Sequence, residues 1–265
     1  MSKDVFSLNL KGTPINLDFT KLVGDEVIVH LREKSGYSFL KRFMVDVRNQ
    51  VDRDVYFCMS YCMPLARGRH IVHLRDFRDM AISQYWTTFT HPKGKGETGI
   101  RKQIRLLGND PRNPKMSVDE FVNREDEWNT RSDRIVHTDG YTTRFFRECV
   151  IPEYRSMLDF NNVSHHTMKV VYYEDMVTDF RLYLNEMNSF LDNVLDVELL
   201  YNKYSHEFQP ETGPWTDPNI PMNTFKGHKR RVFPGGYKEE MSTELGNYFN
   251  SEYKNYPFLK RYIDE

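Results

Sequence analysis

Three places in this 265-residue chain set cations beside glycines or hydroxyl side chains at spacings that suit an anion. The first is Arg32-Glu33-Lys34-Ser35-Gly36-Tyr37-Ser38-Phe39. Amides and hydroxyls of such a turn can cradle phosphate-type oxygens, and Lys34 adds a mobile positive charge. It is not a Walker A motif, because the order is Lys-Ser-Gly and no Gly precedes the Lys by five. The second is Arg75-Asp76-Phe77-Arg78-Asp79-Met80-Ala81-Ile82-Ser83, which sets Arg75 and Ser83 eight residues apart. The third is Lys229-Arg230-Arg231-Val232-Phe233-Pro234-Gly235-Gly236-Tyr237, three consecutive cations beside a Gly pair. Each has a plainer reading: a solvated turn, a charged helix start with Asp79 near its N-terminus, and a solvated basic surface. Together, at loop positions, they favour one anion site.

The elements needed to position them are legible nearby. Residues 26–31 read as a short buried strand, and Phe39, Leu40, Phe43, Met44, Val47 and Val51 then fall on one face of a helix. Val55 to Met59 and His70 to Leu74 suit further strands, the second leading into a helix-like stretch from Arg78 to Phe89. Residues 91–115 read as a long exposed loop with no periodicity. Ser117-Val118-Asp119-Glu120 is a capping-box signature. A helix is expected near 140–157, a strand at 168–173, an amphipathic helix carrying Phe180, Leu184, Met187, Phe190 and Leu191, and a last helix from about Ser242 to Tyr256. Strands alternating with helices predict an α/β fold, a central parallel sheet flanked by helices with right-handed crossovers. No repeat or linker interrupts it, so a single domain over 1–265 is expected. In such sheets ligands sit at the carboxyl ends of the strands, where the first two signals fall.

Composition narrows the classes. Lys plus Arg total 37 against 38 Asp plus Glu, a net charge of −1, which excludes a globally basic nucleic-acid coat and an acidic tail. Aromatic residues at 14% are too many for a disordered chain. No apolar run approaches a membrane span, and the start lacks the apolar segment of a signal peptide. Cys58, Cys62 and Cys149 cannot all pair within one chain and lack a second metal-binding pair, so reduced cysteines in a cytoplasmic protein are expected, with no metal.

At the level of motifs the chain resembles the PAPS-dependent sulfotransferases (PAPS is 3′-phosphoadenosine 5′-phosphosulfate). Their 5′-phosphosulfate loop, Pro-Lys-Ser-Gly-Thr-Thr-Trp, is matched by Glu33 to Phe39. Their 3′-phosphate motif, Arg-Asp-Pro-Arg-Asp with a Ser eight residues after the first Arg, is matched at Arg75, Asp76, Arg78, Asp79 and Ser83, with Phe77 for Pro. A C-terminal Arg-Lys-Gly-x-x-Gly-Asp-Trp segment is similar to Arg230 through Tyr237, and Tyr173-Glu174-Asp175 resembles a Tyr-Glu-Asp segment. The order and separation fit across about residues 26–255.

The resemblance implies a P-loop-like phosphosulfate turn after the first strand and transfer of a sulfuryl group from PAPS to a hydroxyl or amine, leaving PAP, the 3′,5′-bisphosphate. Lys34 would contact the phosphosulfate and stabilise the departing bisphosphate, with Ser35, Gly36, Tyr37 and Ser38 as amide or hydroxyl donors. Phe39 would stack on adenine, or else be a core residue of its helix. Arg75, Ser83 and Arg230 would hold the 3′-phosphate, with Arg231 as auxiliary. The family's acceptor-side His has no counterpart, since Cys62 occupies its place in Tyr61-Cys62-Met63-Pro64. The carboxylate used by other branches points to Asp52 or Asp54 as the base, each equally readable as a solvated turn residue. His91, His165 and His166 are lesser candidates. The acceptor, a small molecule or glycan, and the oligomeric state are not written in the sequence. Two rivals remain: a P-loop-type small-molecule kinase, and a non-catalytic nucleotide- or nucleic-acid-binding module of the same fold.

Overall fold

The computed structural model describes residues 7–8, 14–15, 24–32, 34–61, 68–90, 116–123, 141–164, 167–208 and 234–263. In chain order the elements used below begin with β1 (Ser7–Leu8), β2 (Pro14–Ile15), β3 (Val27–His30), α1 (Tyr37–Val51), β4 (Val55–Cys58) and β5 (Arg69–Leu74). Then come α2 (Phe77–Thr90), α3 (Val118–Asn123), a helical run made of Thr143–Phe145, a π segment at Phe146–Val150 and α4 (Ile151–Ser164), and β6 (Met168–Tyr172). The chain closes with α5 (Tyr173–Thr178), α6 (Phe180–Phe190), α7 (Val197–Tyr204), α8 (Tyr237–Glu240) and α9 (Thr243–Tyr253). The expected helix near 140–157 is thus this longer run, and the loop expected at 91–115 lies outside the described residues.

Two compact units divide the chain: Met1–Arg75 with Cys149–Gln209 and Tyr256–Phe258, and Asp76–Glu148 with Pro210–Asn255 and Leu259–Glu265. The first contains the sheet, ordered β2-β1-β4-β3-β5-β6. Strands β4, β3, β5 and β6 are parallel, and β3 and β5 are buried along nearly their whole length, as suits strands covered on both faces. His30 pairs with Cys58 and with Val72, and Leu74 with Tyr172, so all four carboxyl ends share one edge. Two short strands that the sequence reading did not foresee extend the sheet antiparallel beyond β4. Helix α1 buries the face its spacing predicted: Phe39, Leu40, Phe43, Met44, Val47 and Val51. On α6, Phe180, Tyr183, Leu184 and Met187 are buried, and Asp179 caps the helix by accepting from the Leu182 amide at 2.9 Å.

The second unit is helical in its described part. Phe77, where the resembling motif has Pro, is fully buried among Tyr141, Phe145, Phe146 and Phe249, with ring centroids 4.7–6.5 Å away. The capping box forms as expected: the Ser117 hydroxyl accepts from the Glu120 amide at 3.2 Å, and Glu120 accepts from the Ser117 amide at 2.6 Å. Among the described residues no helix is long and apolar enough to cross a membrane.

Candidate functional site

The sheet order reverses at β3, with β4 on one side and β5 on the other, and such a switch point opens a crevice at the carboxyl edge. The chain leaving β3 turns sharply there. Lys34 (φ 67°) and Gly36 (φ 86°) are both left-handed, a conformation a lysine adopts at a cost of about 1 kcal/mol or more. Glycine suits position 36: a Cβ there would be strained by the positive φ and would meet the Met176 methyl at 3.1 Å and the Tyr173 ring at 3.4 Å. Its carbonyl accepts from the amides of Phe39 and Leu40, both at 3.0 Å, and so opens α1. Among the described residues no acceptor meets the amides of Gly36, Tyr37 and Ser38, which form the positive end of a 15-residue helix.

From the next strand over, Arg75 reaches the same turn. Its Nη1 donates to the Lys34 carbonyl, and its guanidinium carbon lies 4.1 Å from the Tyr173 ring centroid at the start of α5. Arg75 is 7% exposed, so its charge is held in a low-dielectric setting against the turn it braces. The structure therefore brings together Lys34, Gly36, Tyr37, Ser38 and Arg75. Tyr37 stands half-buried against Phe57, which raises its phenol pKa through desolvation.

Other expected residues take different roles. The Ser35 hydroxyl is buried and donates to the Arg32 carbonyl, so it serves the turn itself. Phe39 is packed among Phe43, Phe180, Tyr204 and Phe208 at 4.8–6.0 Å between ring centroids. Phe39 is only 8% exposed, which favours the core reading of the two. Asp52 and Asp54 are corrected by the crossover geometry. Asp52 ends α1 in a left-handed turn, and the Asp54 carbonyl accepts from the Val27 amide at 2.8 Å. Val27 opens β3, so both carboxylates stand at the amino edge of the sheet, a strand's length from Lys34. Asp54 is exposed and pairs there with Arg48 at 3.4 Å. Ser83 belongs to the second unit, on α2, and is half-buried. Arg230, Arg231, Cys62 and the lesser candidates His91, His165 and His166 lie outside the described residues.

The second half of the Arg75-to-Asp79 motif is scaffold. Arg78 is fully buried in the second unit, where Nε donates to both Asp76 oxygens at 3.0 and 3.1 Å and Nη1 to Asn250 Oδ1 at 2.8 Å. Asp79 accepts from the amides of Gly235 at 2.7 Å and Tyr237 at 3.2 Å, anchoring the Gly pair that follows the basic run.

One functional candidate escaped the sequence reading. Glu153, on α4, accepts from Arg32 Nε at 2.9 Å, the Ser60 hydroxyl at 2.6 Å and the Tyr61 amide at 3.1 Å. No local pattern marks it, because its partners lie about ninety and more residues away in sequence.

No protein-family model matches the chain, and no curated protein matches it. Among solved structures, the fold is similar to that of a mouse sulfotransferase, SULT7A1, solved in complex with PAP. The two share a TM-score of 0.53 and 14% identity over 92% of this chain and 91% of that one. At that identity the likeness is one of fold.

Proposed function

We propose that the chain is a PAPS-dependent sulfotransferase, moving a sulfuryl group from PAPS to a hydroxyl or amine of a small-molecule or glycan acceptor. The observation that carries this reading is the turn opening α1, with left-handed Lys34 and Gly36, three amides that meet no acceptor among the described residues and Arg75 braced against it. Its likeness in fold to a sulfotransferase solved with PAP adds support. In the transfer the acceptor's lone pair forms a bond to sulfur while the bond from sulfur to the 5′-phosphate oxygen breaks. The bonding pair stays with the departing PAP, and the proton that the acceptor gives up passes to solvent water. Lys34 and the amides of Gly36, Tyr37 and Ser38 would stabilise the charge that gathers there, as preorganised donors do in related group transfers. Arg75, Ser83 and Arg230, with Arg231 beside it, would hold the 3′-phosphate. The Lys-Ser-Gly order speaks against an ATP-dependent kinase, and the charge balance against a nucleic-acid partner. A reducing, cytoplasmic setting suits a chain whose three cysteines, Cys58, Cys62 and Cys149, cannot all pair with one another.

PAP at 100 times its dissociation constant should add about 2.7 kcal/mol of stability. ADP and AMP at the same concentration should shift the melting temperature much less. Equal shifts from ADP would remove the 3′-phosphate assignment and favour the kinase. Lys34→Ala should lower kcat with PAPS by a factor on the order of 10²–10³, while PAP binding weakens less, since the amides and Arg75 remain. Wild-type turnover in that variant would mean that the turn does not serve the reaction.

A further inference from the structure

The ladder between β3 and β4 ends where the Leu31 amide donates to the Cys58 carbonyl at 2.9 Å. Beyond that rung the two chain segments diverge along the carboxyl edge, one toward Lys34 and the other through Ser60 and Tyr61. A carboxylate bridges them. Glu153 Oε2 accepts from Arg32 Nε at 2.9 Å and the Tyr61 amide at 3.1 Å, and Oε1 accepts from the Ser60 hydroxyl at 2.6 Å and from Arg32 Nη2. The side chains of Arg32 and Glu153 are only 3% and 12% exposed, so these are charge-assisted bonds in a poorly screened setting. The connection runs on into the turn, because the Arg32 carbonyl accepts from both the amide and the hydroxyl of Ser35. Glu153 itself follows Pro152, which has no amide to donate, just past the π segment that offsets the helix at this point.

We infer that Glu153 is a positioning residue for the anion turn, fixing the Lys34 loop against the segment after β4. The inference rests on the function proposed above for the meaning of the turn, but not for the bracket itself. The structural consequence is that a change at Glu153 reaches both flanks at once, although they come from different strands. The functional consequence is that the amides meant for the donor lose their preorganised placement.

The test is amide hydrogen–deuterium exchange of the full chain, followed over residues 31–40 and 55–61 with α6 as control, together with calorimetric titration of PAP. In Glu153→Gln an amide nitrogen faces Arg32 in place of an acceptor. Exchange is expected to quicken in both flanks with α6 unchanged, and PAP affinity to fall about tenfold. In the double variant Arg32→Gln with Glu153→Gln the two amides can bond each other, and affinity should recover to within about threefold of wild type. Faster exchange in only one flank, or uniformly across the chain, would overturn the bracket. So would unchanged affinity, or equal losses in the single and double variants. If Glu153→Gln does not fold, Ser60→Ala, which leaves the ion pair intact, replaces it: both flanks should again respond together, and a response confined to 55–61 overturns the inference. The exchange arm contains no ligand. A wild-type chain indifferent to PAP would therefore defeat the proposed function while leaving the bracket decided by exchange alone.

Discussion

Replacing Arg78 by Met should lower stability by about 3–5 kcal/mol, because it leaves the Asp76 carboxylate buried without its countercharge. Asp76 is 3% exposed, and the Arg78 amide at 2.9 Å and the Tyr253 hydroxyl at 2.8 Å, which it would keep, carry no countercharge. The guanidinium does more than pair. It donates to Asn250 and to the Tyr262 carbonyl, and its central carbon lies 3.8 Å from the Tyr237 ring centroid. Burial disfavours the Arg78 charge, yet the Asp76 carboxylate outweighs this and holds the guanidinium pKa above its ordinary value. The double variant Arg78→Met with Asp76→Asn should recover part of the loss, since no buried charge is then left over. Urea denaturation of the three chains checks this, and a loss below about 1 kcal/mol in Arg78→Met would show that the pair is dispensable. The result separates the halves of one motif. Arg75 braces the Lys34 turn of the first unit, whereas Asp76, Arg78 and Asp79 bond within the second unit.

That separation marks how far the sequence could be read. The strands at Val27–His30, Val55–Cys58, Arg69–Leu74 and Met168–Tyr172 announce themselves as short apolar runs, and α1 and α6 as periodic faces. The turn at Lys34 to Gly36 was legible because its residue types are local. Asp52 and Asp54 were misplaced by a long-range rule. A right-handed crossover returns the chain to the amino edge of the sheet before the next parallel strand begins, so residues just before β4 face away from the turn. Phe39 carried two readings because a helix's first buried aromatic looks the same whether it meets core or ligand. Only the rings of Phe180, Tyr204 and Phe208, far along the chain, decide between them. Glu153 had no signal at all, since donors on three residues from two other segments define it. The Arg-Asp-Phe-Arg-Asp spacing told nothing of which cation braces the Lys34 turn and which is enclosed in the second unit, where Asn250, Tyr253 and Tyr262 near the other end of the chain hold Arg78 and Asp76.

Acidification should cost the fold about 4 kcal/mol between pH 7 and pH 5, about 2 kcal/mol from each of two buried imidazoles. His30 and His73 are fully buried. Burial lowers the pKa of His30 to about 3, helped by the neighbouring His70, and lowers that of His73 to about 3, helped by Arg75. The ordinary value is 6.5, so the unfolded chain takes up these protons at a higher pH than the folded chain does. Stability is therefore full above about pH 6.5 and falls as the pH drops toward the folded value near 3. The geometry at His30 explains the resistance to protonation. Its Nδ1 donates to the Ser60 carbonyl at 3.1 Å, so Nε2 must accept from His70 Nδ1 at 3.0 Å, and a proton there would set two N–H groups against each other. Around His73 stand Arg75 and the rings of Tyr173 and Tyr183, and neither imidazole nitrogen has a hydrogen-bond partner among the described residues. Leu has a similar volume, so His73→Leu should cost little at pH 7 and halve the acid-induced loss at pH 5. Carboxylates cannot imitate this window. Asp192, held below its usual 3.8 by hydrogen bonds from Arg69 and Arg53, gives up its contribution only at lower pH. Denaturation midpoints measured at pH 7.5, 6, 5 and 4 for wild type and His73→Leu decide the matter. A wild-type midpoint flat from pH 7.5 to 5, or an unaltered slope in the variant, would mean that these histidines do not govern acid stability.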